Sequence, residues 1–154
     1  MANYQTQKSQ TYATVIGQGG ARALVCDMVS VALTTAMIDN ANDEIELLWV
    51  PAGAVIVGAE LRCTDVDTNA SPAILWDVGD DADEDRLIAA ATVGQTAATT
   101  NTLAVTGFGY RYNTATKIKA YVNTASATAA TGTLYFRITY FVDANFTLTN
   151  PVVS

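Results

Sequence analysis

Thr133-Leu134-Tyr135-Phe136-Arg137-Ile138-Thr139-Tyr140-Phe141-Val142 settles the structural class of this chain. Leu134, Phe136, Ile138 and Tyr140 share one parity, so an extended backbone turns all four to one side, whereas a helix would scatter them around its axis. The other positions, Arg137 apart, hold aromatic and β-branched side chains that suit a pleated sheet. The stretch therefore predicts a strand with one face in a core. Immediately before it, Thr124 to Gly132 offers Ala, Thr and Ser with nothing bulky to pack, and predicts a turn with Gly132 at its corner.

Working toward the N-terminus, Lys117 to Val122 and Phe108 to Tyr112 are two more short strands. Ala89 to Thr106 is a small-residue stretch without helical periodicity, expected to be a long loop. Ala73 to Val78 is an apolar run, and the Gly79-Asp80-Asp81-Ala82-Asp83-Glu84-Asp85 segment behind it is charged enough to predict a solvated loop. Val55 to Cys63 alternates, with Val55, Val57, Ala59 and Leu61 on one side. Glu44 to Val50 starts as alternation and becomes wholly apolar, and Pro51-Ala52-Gly53 stops it, since Pro has no N–H to donate. Arg22 to Met37 carries apolar residues at both parities, the signature expected of a strand buried on both faces.

About eight short strands result, with no long helix between them. The expected fold is all-β: an antiparallel β-sandwich, jelly-roll-like, with an immunoglobulin-like sandwich as the other arrangement of similar content. Three regions follow: an N-terminal arm over 1–20, the sandwich over 21–144 and an extended tail over 145–154.

The chain has 154 residues and a mass of 16.2 kDa, enough for one domain to bury a core without staples. Half of the residues are hydrophobic and 15% are charged, a balance that folds. Eight Lys and Arg against 15 Asp and Glu give a net charge of −7, which argues against nucleic acid and anionic membranes as partners, although solubility alone explains such a charge. No apolar run reaches signal-peptide length at the N-terminus, nor membrane-spanning length anywhere. Cys26 and Cys63 lie far apart within apolar stretches, the placing of buried free thiols, and are spaced for neither redox nor metal chemistry.

The search for chemistry comes back empty. The absence of histidine removes the usual general base and the commonest transition-metal ligand. Lys8, Lys117 and Lys119 are not embedded in apolar runs that would lower their pKa. Gly17-Gln18-Gly19-Gly20-Ala21-Arg22 starts like a dinucleotide fingerprint but follows no strand and ends in Arg22. Asp81-x-Asp83-x-Asp85 and Asp65-x-Asp67-x-Asn69 open like calcium loops, yet Arg86 and Ala70 hold the turn-glycine places, and Thr92 and Trp76 stand where the bidentate Glu belongs. Both are expected to be ordinary acidic loops with carboxylates in water. Trp49 and Trp76 lie in apolar runs, as core residues would rather than sugar-stacking platforms. The expectation is no enzyme, no metal and no cofactor.

One segment points to a partner. Tyr4 and Tyr12 are the aromatics of a polar arm that has no core of its own, and Gly17, Gly19 and Gly20 supply a hinge behind them. These five residues are the candidate partner-binding set.

Trp49-Val50-Pro51-Ala52-Gly53-Ala54-Val55-Ile56, Asp77-Val78-Gly79-Asp80, Asp85-Arg86-Leu87-Ile88-Ala89-Ala90 and Ala130-Thr131-Gly132-Thr133-Leu134-Tyr135-Phe136 resemble small structural proteins of tailed bacteriophages, over roughly Glu44 to Val142. The resemblance implies a head decoration, or cement, protein: a jelly roll, commonly a homotrimer, bound to the major capsid protein on the outside of the virion where capsid subunits meet. It carries over no catalytic residue. The alternative function is a head-fibre or tail-tip module that binds a receptor or glycan through loops at one end of the sandwich.

Overall fold

The computed structural model describes residues 3–5, 24–96, 99–102, 104 and 106–143. The described strands are β1 (Asn3–Gln5), β2 (Leu24–Leu33), β3 (Glu44–Val50), β4 (Ala54–Cys63), β5 (Leu75–Asp80), β6 (Asp83–Ala91), β7 (Thr99–Thr102), β8 (Thr116–Thr124) and β9 (Gly132–Val142). They form a first sheet in the order β1-β3-β8-β5-β6 and a second in the order β2-β9-β4-β7. Pairing of β2 with β9, β3 with β8 and β5 with β6 is antiparallel and nested, as in one long hairpin rolled over itself, with β4 bound to both β9 and β7. That is the eight-stranded jelly roll, and the all-β expectation holds. β1 is an addition to it, lying parallel to β3 at the edge of the first sheet.

β9 lies inside the second sheet, and Leu134, Phe136, Ile138 and Tyr140 all face inward and are buried. From the first sheet they meet Ile45, Leu48, Val50, Trp76, Val78, Ile118, Ala120 and Val122 in one apolar cluster. In β3 and β4 the alternation slips once. β3 bulges at Leu47, between Glu46 opposite Lys119 and Leu48 opposite Ile118. β4 bulges at Val57, between Ile56 opposite Tyr140 and Gly58 opposite Thr139. One extra residue exchanges the two faces of a strand. Ala54 and Ile56 thus point inward before the bulge, and Ala59, Leu61 and Cys63 after it, instead of the single parity Val55 to Leu61.

The remaining differences from the sequence reading have similar causes. The stretch from Gly79 to Asp85 is not a solvated loop: Gly79 and Asp80 end β5, Asp81-Ala82 turn, and Asp83 starts β6. Asp80 is buried there because Arg86 Nε lies 2.7 Å from its carboxylate and the Ala82 N–H donates to it. Gly79 is required at this point, since a Cβ would run into the backbone of Asp83 and Glu84. The stretch from Ala89 to Thr106 contains the end of β6 and all of β7. Phe108 to Tyr112 is a turn, with Gly109 at φ 77°, held along β4 by backbone bonds between Gly109 and Ile56 and between Tyr112 and Ala54. β2 ends at Leu33, and Thr35–Met37 is a short 3-10 turn.

Asp67 holds the end of the sandwich where β4 stops and β9 begins. It is 1% exposed, not solvated as an ordinary acidic loop residue would be. Its carboxylate accepts the N–H groups of Ala73 (2.7 Å), Ile74 (3.1 Å), Ala127 (2.9 Å), Thr128 (2.9 Å) and, at 3.4 Å, Asn69. Burial alone would raise its pKa, but these donors outweigh it and hold the carboxyl well below the usual aspartate range. With both oxygens committed to backbone, Asp67 is an anionic staple between two loops rather than a calcium ligand.

Candidate assembly surface

At the opposite end of the second sheet the register aligns Leu24, Phe141 and Val55 in one row across β2, β9 and β4. The next rows are Cys26, Thr139 and Gly58, then Met28, Arg137 and Glu60, then Ser30, Tyr135 and Arg62. All share the outward face, because strand side chains alternate and the intervening residues Val29, Val31, Leu134 and Phe136 point inward. The outer face therefore grades from apolar at the Leu24 end to polar, where Arg137 pairs with Glu60 and Arg62 lies 5.5 Å from the Tyr135 ring centre.

Leu24 is 65% exposed, Met28 60%, Val25 36% and Phe108 67%, and these are the exposed large hydrophobics among the described residues. Leu24, Met28 and Phe108 lie toward this end, whereas Val25, opposite the inward Tyr140, has the inward parity at the sheet edge. Phe108 joins them because its turn extends the first row: Val55 bridges Arg111, whose guanidinium pairs with Asp143 at 3.5 Å. The turn is pinned from beneath. Arg86 stacks 3.9 Å over the Tyr110 ring, and Tyr110 meets Tyr112 edge to face at 5.0 Å. Burial, and after it the charge of Asp80, pushes the Tyr112 phenol above its ordinary pKa, so Tyr112 stays neutral. A single exposed Leu is ordinary, but three large apolar side chains on one rigid end form a surface suited to contact with another protein.

This corrects two readings of β2. Among the described residues it is an edge strand with nothing over its outer face, not a strand covered on both sides, and Cys26 is exposed on that face. Apolar residues at both parities mark either a doubly covered strand or one whose second cover is not among the described residues, a difference that local alternation does not carry. Cys63 is buried, and burial, reinforced by Asp65, pushes its thiol up to about 12.

A second polar feature lies on the outer face of the first sheet. Lys119 is 8% exposed between Glu44, at 2.9 Å, and Asp81. Burial opposes its charge, but the two carboxylates outweigh it and raise its pKa above the ordinary lysine value. Beside it Lys117 lies 2.7 Å from Glu46 and 5.2 Å above the Trp49 ring centre, along a cleft of about 330 Å³. Trp76 is a core residue as expected, but Trp49 is half-buried on this outward face with a lysine over its ring. Among the described residues no three His, Cys, Asp or Glu side chains gather as a metal site would need.

Of the arm residues singled out in the sequence, Tyr4 lies on β1, its backbone opposite Ile45. Tyr12, Gly17, Gly19 and Gly20 lie outside the described residues.

No protein-family model and no curated protein sequence matches the chain. Solved structures do. The chain is similar to one in the capsid asymmetric unit of cyanophage Pam1, with 28% identity and a TM-score of 0.70 over 89% of this chain and 97% of that one. It is similar to a chain in the capsid of Ralstonia phage GP4, with 25% identity and a TM-score of 0.75 over 92% and 98%. A chain in the acidic stable capsid of Helicobacter pylori bacteriophage KHP30 shares the fold, with 17% identity and a TM-score of 0.55 over 79% and 94%.

Proposed function

We propose that this chain is a decoration protein of a phage capsid, bound to the major capsid protein on the outside of the shell as a homotrimer. A structural role in the virion is supported by the likeness to chains of two phage capsids, and that likeness carries the reading. It runs across nearly the whole of each matched chain, so those chains are themselves small single jelly rolls of about this size. The net charge of −7 suits a position away from packaged DNA.

The apolar end built from Leu24, Met28 and Phe108 is the surface that faces the shell. Contacts that exist only on the assembled lattice stabilise it by linkage, because the protein binds the intact shell and not its dissociated subunits. The tryptophans offer no open platform to a receptor or glycan, since Lys117 sits over Trp49 and Trp76 is in the core. The test is binding of the purified protein to shells assembled without it. Cosedimentation lost on Leu24→Asp/Met28→Asp, in a protein of unchanged circular dichroism, supports the proposal; unchanged binding of the double variant removes the apolar end from it.

A further inference from the structure

Strand β1 sits in a slot that does not depend on which chain supplies it. Asn3, Tyr4 and Gln5 lie parallel to β3, in register with Glu44, Ile45 and Glu46, and cap the edge of the first sheet. Everything else in that sheet is fixed by the nested pairing of the roll, whereas β1 is tied to it through residues 6–23 alone. The backbone bonds of three paired residues contribute on the order of 1 kcal/mol each, and they are the same bonds whichever copy offers the strand.

Geometry makes both sources accessible. The 18 residues between Gln5 and Leu24 can span up to about 60 Å when extended. A domain of this size is on the order of 40 Å across. The segment is thus long enough to reach β3 of its own domain or of an adjacent one. Its far end is Leu24, at the start of the edge strand β2 of the second sheet. In an oligomer of this chain the choice between the two is set by effective concentration rather than by any new bond.

We propose that the β3 edge is a strand-exchange site, and that in the oligomer it receives Asn3–Gln5 of a neighbouring copy. Each copy then gives one strand and takes one, and the ring or pair closes without altering the core. This needs only copies of this chain held together; it does not require that they decorate a shell.

The test uses the register. Asn3 stands opposite Glu44, so cysteines at these positions meet only when β1 occupies the slot. The exposed Cys26 is replaced by serine, and the buried Cys63, its thiol pushed up to about 12, stays unreactive. Full-length Asn3→Cys/Cys26→Ser and Glu44→Cys/Cys26→Ser chains carrying different tags are co-expressed, oxidised and run on a non-reducing gel. Strand exchange gives a two-tag band in excess of the same-tag pairs that either variant forms alone, and it gives linked oligomers from the Asn3→Cys/Glu44→Cys/Cys26→Ser chain. The proposal is overturned if that last chain links only within itself and the mixture gives no two-tag band, or if no link forms in either sample. Loss of shell binding in a separate assay leaves these bands unchanged, so the two proposals fail independently.

Discussion

Replacing Asp67 by asparagine keeps the shape of the side chain but turns one acceptor into a donor, facing N–H groups of Ala73, Ile74, Ala127, Thr128 and Asn69 that now lack a full set of partners. Exposed neighbours such as Thr68 and Asn69 let water reach part of the site, while Ile74 is fully buried. If two of the five donors remain dry at about 1–3 kcal/mol each, the loss is about 2–6 kcal/mol, in the range expected when one partner of a buried charged network is removed. At about 2–4 °C per kcal/mol for a domain of this length, thermal unfolding should fall by roughly 10 °C. Alanine should cost about as much as asparagine, because the charge and its acceptors carry the effect and not the shape. Amide exchange should speed up at residues 73, 74, 127 and 128 more than along β9. The pH dependence has a definite sign: the folded pKa is lowered, so the stabilisation is full above the unfolded aspartate value of about 4 and fades as pH falls below it. Wild type should therefore lose stability more steeply below pH 4 than Asp67→Asn. A loss under about 1 kcal/mol, or equal acid slopes, refutes the staple.

Other consequences are separable. Leu24→Asp/Met28→Asp removes only exposed apolar surface, so urea unfolding should shift by less than about 0.5 kcal/mol per site, with a larger shift meaning that the patch packs within the fold. Gly132→Ala would place a Cβ against Thr64 Oγ1 and Val66 Cγ1; overpacking there should cost about 1–3 kcal/mol, and wild-type stability would mean that the start of β9 yields freely. At pH 8 a thiol reagent should label Cys26 at once and Cys63 only after denaturation, as burial and the raised pKa of Cys63 require; rapid double labelling of native protein would contradict its placement. Removing residues 1–18 should leave the sandwich folded by circular dichroism and abolish shell binding, and retained binding would take the arm out of the contact.

How much of this was legible in the sequence depends on whether a residue's partners lie on its own strand. β9 could be read to within one residue, Gly132 belonging to the strand and not to the turn before it, because its alternation is unbroken from Leu134 to Tyr140. β3 and β4 were legible in their bounds but not in their faces, since the bulges at Leu47 and Val57 are fixed by pairing with β8 and β9 and leave no local mark. The acidic run at 79–85 looked solvated because the cation that lets Asp80 be buried is Arg86, across a hairpin turn. Asp67 was passed over for the same reason: its partners include backbone amides about 60 residues away, at Ala127 and Thr128. β7, Thr99–Thr102, contains no apolar side chain to signal a strand and owes its pairing to the rim of β4. The exposed end was hidden because apolar residues on both sides of β2 fit burial as well as assembly. Of the arm, the fold describes only Asn3–Gln5, so the tyrosine and glycine set of the sequence stands as a proposal for mutagenesis.

The central claim is that this jelly roll sits on the outside of a phage shell, and imaging of particles assembled with and without the chain tests it directly. Regular added density at the junctions between capsomers, with the Leu24, Met28 and Phe108 end against the shell, is the predicted result. Density confined to the tail or to one vertex, or particles identical in the two preparations, would contradict it.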